Sequence, residues 1–127
     1  MLINDPDVLA EVRAAFEAYE AALMANDLEA LDAFFWVDDR TVRFGPGQNL
    51  YGIEEIRAFR LARVGGSPQR TLDHTVITTF GADYATANTE FQRVGAARPG
   101  RQSQTWVRFE DGWRVVAAHI SLLSEGA

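Results

Sequence analysis

The chain splits into a helical first half, interrupted by one strand, and a strand-rich second half. A chain divided in this way folds as α+β, because neither half can bury its apolar side alone. Val8, Val12, Phe16, Tyr19 and Leu23 form the buried stripe of a first helix. Asp5 is placed to cap it, Pro6 suits the first helical position, and Asp7 favours the positive end of the dipole. Asn26 ends this helix. Asp27 caps a short second one in which Leu28, Leu31, Phe34 and Phe35 face inward. Val37–Phe44 reads as a strand, with Gly45-Pro46-Gly47 as a sharp break and Leu50-Tyr51 as a strand fragment. A third helix runs from Ile53 to about Arg63, with Ile53, Ile56 and Phe59 on one side, and Gly65-Gly66-Ser67-Pro68 ends it.

The remainder is a meander of four strands over Arg70–Phe80, Tyr84–Val94, Arg101–Phe109 and Trp113–Leu123. A type I turn with Gly112 in the left-handed position pairs Phe109 with Trp113 in the last hairpin. That register sends Ser103, Thr105, Val107 and Phe109 inward with Trp113, Val115, Ala117 and His119. Gln102, Gln104, Trp106 and Arg108 then face outward with Arg114, Val116, Ala118 and Ile120. A two-residue Asp111-Gly112 turn would mix polar and apolar residues on both faces. On the second long strand Asn88, Glu90 and Gln92 alternate with Ala87, Thr89 and Phe91, and either set can face in. Three helices against a curved, mostly antiparallel sheet leave a cone with a pocket at its open end. No repeat or linker divides the 127 residues, so one domain is expected.

Composition narrows the chemistry. Cysteine is absent, which excludes disulfides and a thiol nucleophile. All twelve cations are arginine and none is lysine, which excludes Schiff-base and P-loop lysine chemistry. With only two histidines, His74 and His119, a metal site is thinly supported, and no metal or cofactor is expected. A net charge of −6 argues against a nucleic-acid partner. The acidic start Asn4-Asp5-Pro6-Asp7 is unlike a secretory signal, and no apolar run approaches the ~20 residues of a membrane span. A cytoplasmic protein is expected.

The order of elements and the closing stretch Gly112-Trp113-Arg114-Val115-Val116-Ala117-Ala118-His119-Ile120-Ser121 resemble the NTF2-like (SnoaL-like, cystatin-like) superfamily. Three segments are similar to its AtzH-like group, which includes HpxZ-type proteins of oxalurate catabolism. They are Gly52-Ile53-Glu54-Glu55-Ile56-Arg57-Ala58-Phe59-Arg60, Thr78-Thr79-Phe80-Gly81-Ala82-Asp83 and Gly100-Arg101-Gln102-Ser103-Gln104-Thr105-Trp106-Val107-Arg108. The resemblance implies decarboxylating breakdown of 1,3-dicarboxyurea, a homodimer, no metal, and association with amidases of ureide degradation. It also implies that a tyrosine on the first helix and an arginine on the first strand carry the chemistry. The matching positions are Tyr19 and Arg43.

Tyr19 lies on the buried stripe, so its hydroxyl meets either a backbone carbonyl or a pocket. Arg43 is either a solvated strand arginine or, inside a pocket, a bidentate carboxylate holder. Arg57, Arg60, Arg108 and Arg114 read as surface residues. His119, Ser103, Thr105 and Ser121 are the secondary substrate-binding candidates, because the chosen register turns their strands inward. Trp36 and Phe35 read as core. The mixed apolar face of Gln102, Gln104, Trp106, Val116, Ala118 and Ile120 reads as a dimer interface, since the tail Ser124–Ala127 is too short to cover it. Two other functions stay open. One is a non-catalytic carboxylate-binding partner of an amidase. The other is a ketosteroid-isomerase-like enzyme with Asp38 or Asp39 as base, although no acid stands on the inward side of the 101–109 strand.

Overall fold

A computed structural model describes residues 1–124; the end of the tail, 125–127, lies outside the described residues. Three helices, α1 (Pro6–Ala25), α2 (Leu28–Ala33) and α3 (Gly52–Ala62), lie with six strands. The strands are β1 (Val42–Gly45), β2 (Gln48–Tyr51), β3 (Arg70–Phe80), β4 (Tyr84–Arg93), β5 (Gly100–Phe109) and β6 (Gly112–Leu122). They form one sheet in the order β2-β1-β6-β5-β4-β3, in which only β1 and β6 run parallel.

The caps work as the sequence suggests. The Asp5 carboxylate accepts from the Asp7 and Val8 amides, and Asp27 accepts from Ala30. Asn26 closes α1 in the left-handed conformation, at φ 53°. The first strand is shorter than expected. Asp38 accepts from the Arg40 amide, and the Thr41 hydroxyl donates to the Trp36 carbonyl, so this stretch is a turn and pairing starts at Val42.

α1 buries Val8, Val12, Phe16 and Tyr19 against the sheet. β4 contributes Ala85, Ala87, Thr89 and Phe91 to the same core, which answers the question its alternation left open. Phe35 is buried as expected, whereas Trp36 is only partly covered and stacks on Phe109 at 5.6 Å.

The last hairpin corrects the sequence reading. Phe109 pairs with Gly112, and Trp106 with Val115, whereas Thr105 pairs with Ala117 and Ser103 with His119. Val116 is therefore an extra residue, a β-bulge that shifts the alternation by one. On the turn side of the bulge, Trp113 and Val115 face the core as expected. Beyond it, Ala118 and Ile120 do so instead of Ala117 and His119. Across from them, Gln102, Gln104 and Trp106 are the buried set of β5. The face on which a dimer interface was expected is thus largely the covered interior of this chain. The glutamines are admitted there by hydrogen bonds: Trp106 Nε1 donates to Gln104 Oε1 at 3.0 Å, and Gln102 Oε1 accepts from Arg70.

Candidate functional site

Arg43 reaches the interior because of the strand it occupies. In the parallel β1–β6 pairing, Arg43 stands beside Ala118, while Val42 and Phe44 stand beside Ala117 and His119. Ala118 faces the helices, so Arg43 does too. Tyr19 arrives from α1, its ring held edge-on to Phe34 and Trp106 and tilted on Phe35. Among the described residues no group exchanges a hydrogen bond with its hydroxyl, although the residue is only 5% exposed. Tyr19 and Arg43 line one narrow cavity. Leu31, Phe59, Arg60 and Arg63 complete its main walls, and Asn26, Gly66 and Ser67 stand where the loop after α3 meets the end of α1.

No carboxylate lines this cavity, yet three guanidinia do. Arg60 is paired: its Nη1 donates to Asp32 Oδ1 at 2.7 Å, and its guanidinium lies 4.5 Å from the Phe35 ring centre. It is buried, which corrects the surface placement expected for it. Arg70, beneath the same region, donates two hydrogen bonds to Glu20, at 2.9 and 2.6 Å. Arg43 has no such partner among the described residues. Its guanidinium lies 5.1 Å from the Phe59 ring centre, and its buried Nη1 bonds to nothing in the protein. Burial lowers the Arg43 pKa to about 10; the nearby Tyr19 oxygen opposes this, and the guanidinia of Arg60, Arg63 and Arg70 reinforce it. A buried fork with free donors beside other cations is a site for an anion.

The secondary candidates lie elsewhere. Ser103 and His119 are exposed, and Thr105 and Ser121 half-covered, on the sheet face away from the helices. The structure does not bring them together with Tyr19 and Arg43: pairing of Arg108, not Phe109, with Trp113 at the turn sends Ser103 and Thr105 outward, and the bulge at Val116 does the same for His119 and Ser121. His74 is exposed at an irregularity in β3, at φ 50°, with Nδ1 3.2 Å from both Asp73 and Glu90. Asp38 is held by Arg40 on the surface, at 2.8 Å, and neither it nor Asp39 lines the cavity. Among the described residues no group of three or more His, Cys, Asp or Glu could hold a metal ion. No helix there is long and apolar enough to cross a membrane.

Sequence reasoning missed Arg60 and Arg63. Their signal was helical: positions 53, 56, 60 and 63 fall on one stripe of α3, so the two arginines continue the line of buried Ile53 and Ile56.

Three helices packed against a six-stranded mixed sheet define an NTF2-like fold. The AtzH-like family model matches residues 1–126, and the chain belongs to that family. Among solved structures it is similar to a protein of unknown function of the DUF3225 family from Pectobacterium atrosepticum. The identity is 60% and the TM-score 0.94, over 96% of this chain and 95% of that one. It is also similar to a cystatin-like fold protein from Burkholderia xenovorans, at 49% identity and TM-score 0.93, over 98% of each chain. An NTF2-like superfamily protein from Salmonella enterica shares the fold at 23% identity and TM-score 0.75, over 95% of this chain and 94% of that one. The comparison with curated proteins gave no match.

Proposed function

We propose that the chain is an enzyme of ureide breakdown that releases CO2, without a metal, from an N-carboxylated urea of the 1,3-dicarboxyurea type. The observation that carries this reading is the pairing in one acid-free cavity of an unpartnered, buried Arg43 guanidinium with an unpartnered Tyr19 hydroxyl. Arg43 holds and orients a substrate carboxylate through its fork. Tyr19 gives its proton to the nitrogen that bears the carboxyl group. The N–C bonding pair stays on that nitrogen, the carboxylate carbon leaves as CO2, and water returns a proton to Tyr19. General-acid help of this kind is worth about 10²–10⁴-fold. The low-dielectric walls of Leu23, Leu31 and Phe59 strengthen the charge interactions on which it depends.

The test is direct measurement of CO2 release from 1,3-dicarboxyurea. Tyr19→Phe and Arg43→Met are each expected to lower turnover by at least about 10²-fold in a folded protein. Full turnover in either variant removes the mechanism. Wild-type protein that binds malonate by calorimetry but releases no CO2 is a carboxylate-binding partner of an amidase rather than an enzyme.

A further inference from the structure

The Phe59 ring carries a second guanidinium. Arg63, at the end of α3, lies 5.7 Å from the same ring centre that Arg43 approaches to 5.1 Å, and both line the cavity. The two distances laid end to end cap the separation of the guanidinium carbons at about 11 Å. Arg63 forms no ion pair and no side-chain hydrogen bond among the described residues, although Arg57 and Arg60 of the same helix are both near Asp32. Burial lowers its pKa, and the Arg70 charge lowers it further. Beside it the chain makes room for a polar group. Gly66, at φ 69°, lies so close to the Asn26 carboxamide that a Cβ there would meet Asn26 Oδ1 at 2.4 Å. The Asn26 side chain is exposed, and its carboxamide has no hydrogen-bond partner among the described residues.

We propose that Arg63, with Asn26, is a second anion subsite that binds the far acid group of the substrate and makes the cavity selective for two-acid over one-acid ligands. This rests on the reading of Arg43 as a carboxylate holder. Arg43 and Arg63 are then a divided clamp: one fork sits on the strand beside Tyr19, the other on the loop side, both against the Phe59 ring. The arrangement suits a short planar chain with an acid at each end.

The experiment is calorimetric titration with glutarate and with pentanoate, which have equal chain length and differ by one carboxylate. Wild-type protein is expected to bind glutarate at least about tenfold more tightly, a difference of ~1.4 kcal/mol. Arg63→Gln removes no ion pair, and is expected to bring that ratio to within about threefold, whereas Arg63→Lys keeps the charge and an intermediate ratio. An Arg63→Gln protein that keeps the wild-type ratio, or a wild-type protein without a glutarate preference, overturns the proposal. Wild-type protein that binds neither acid sinks the carboxylate-holding role of Arg43 and this proposal together. An Arg63-dependent preference without CO2 release sinks the enzymatic reading alone and supports the subsite.

Discussion

Arg43 and Ala118 are neighbours across the parallel pairing of β1 with β6, and that adjacency places a permanent cation on the covered side of the sheet. A charge so placed works against the fold. With its folded-state pKa lowered to about 10, the protonated form is less favourable in the native protein than in the unfolded chain. The penalty is fully present at neutral pH and is relieved only as pH rises past about 10. Arg43→Met is therefore expected to raise stability at pH 7 by at least ~1 kcal/mol in urea denaturation while it abolishes turnover. A variant less stable than wild type would mean that Arg43 has a stabilising partner.

Glu20 and Arg70 make the opposite case. The Arg70 side chain is 3% exposed and Glu20 15%, and two hydrogen bonds join them. Glu20→Ala strands a buried cation and is expected to cost about 3 kcal/mol. The double variant Glu20→Ala with Arg70→Met should be more stable than Glu20→Ala alone, because it removes the stranded charge. Thermal and urea unfolding of the three proteins measure this, and equal losses in both variants would argue against a buried ion pair.

Asp38 stands near the position an isomerase base would need, but its carboxylate is committed to Arg40. The hydrogen bonds from Arg40 hold its pKa at about 2, below the usual 3.8. Whatever stability it contributes is present above pH 3.8 and lost as pH falls through about 2. Asp38→Asn is expected to leave CO2 release within about twofold of wild type, as suits a residue outside the cavity. Any stability difference from wild type should vanish near pH 2 in an acid titration followed by circular dichroism.

The sheet face away from the helices carries Val42, Phe44, Thr105 and Ala117, with Val76 and Tyr84 exposed at 57% and 47%. This face, rather than the one the sequence pattern favoured, is where we place the expected two-fold pairing. Light scattering should then give twice the 14.1 kDa chain mass, and Thr105→Arg the single mass. A wild-type mass of one chain would remove the dimer.

Helix boundaries were legible because they are local: Asp5, Asn26 and Asp27 act on amides within a few residues. β3 was legible from composition alone, and its bounds match those read from the sequence. Tyr19 and Arg43 came from family resemblance, with the alternation Thr41-Val42-Arg43-Phe44 agreeing. The facing of β5 and β6 was not legible. It depends on the pairing at the turn, where Phe109 meets Gly112 rather than Trp113 and so reverses β5, and on one unpaired residue in β6; strict period-two reasoning carries an error at either point along the rest of the strand. The spacing Trp113, Val115, Ala118, Ile120 contains the missing step. Arg60 and Arg63 were passed over because arginine on a helix reads as solvent-facing until its acidic or aromatic partners are known.

The bulge at Val116 lets one strand answer two demands. Towards the turn, Trp113 and Val115 are buried in the core. Past it, the small Ala118 stands at the position that β1 reads to set Arg43. Loss of this single residue would exchange Ala118 for its neighbour in every later pairing and leave β1 a choice between its register and its interior charge. The polarity of the cavity is thus set by a count of residues on a strand that supplies none of the cavity's charges, so length variation in β6 should be tolerated far less than substitution there.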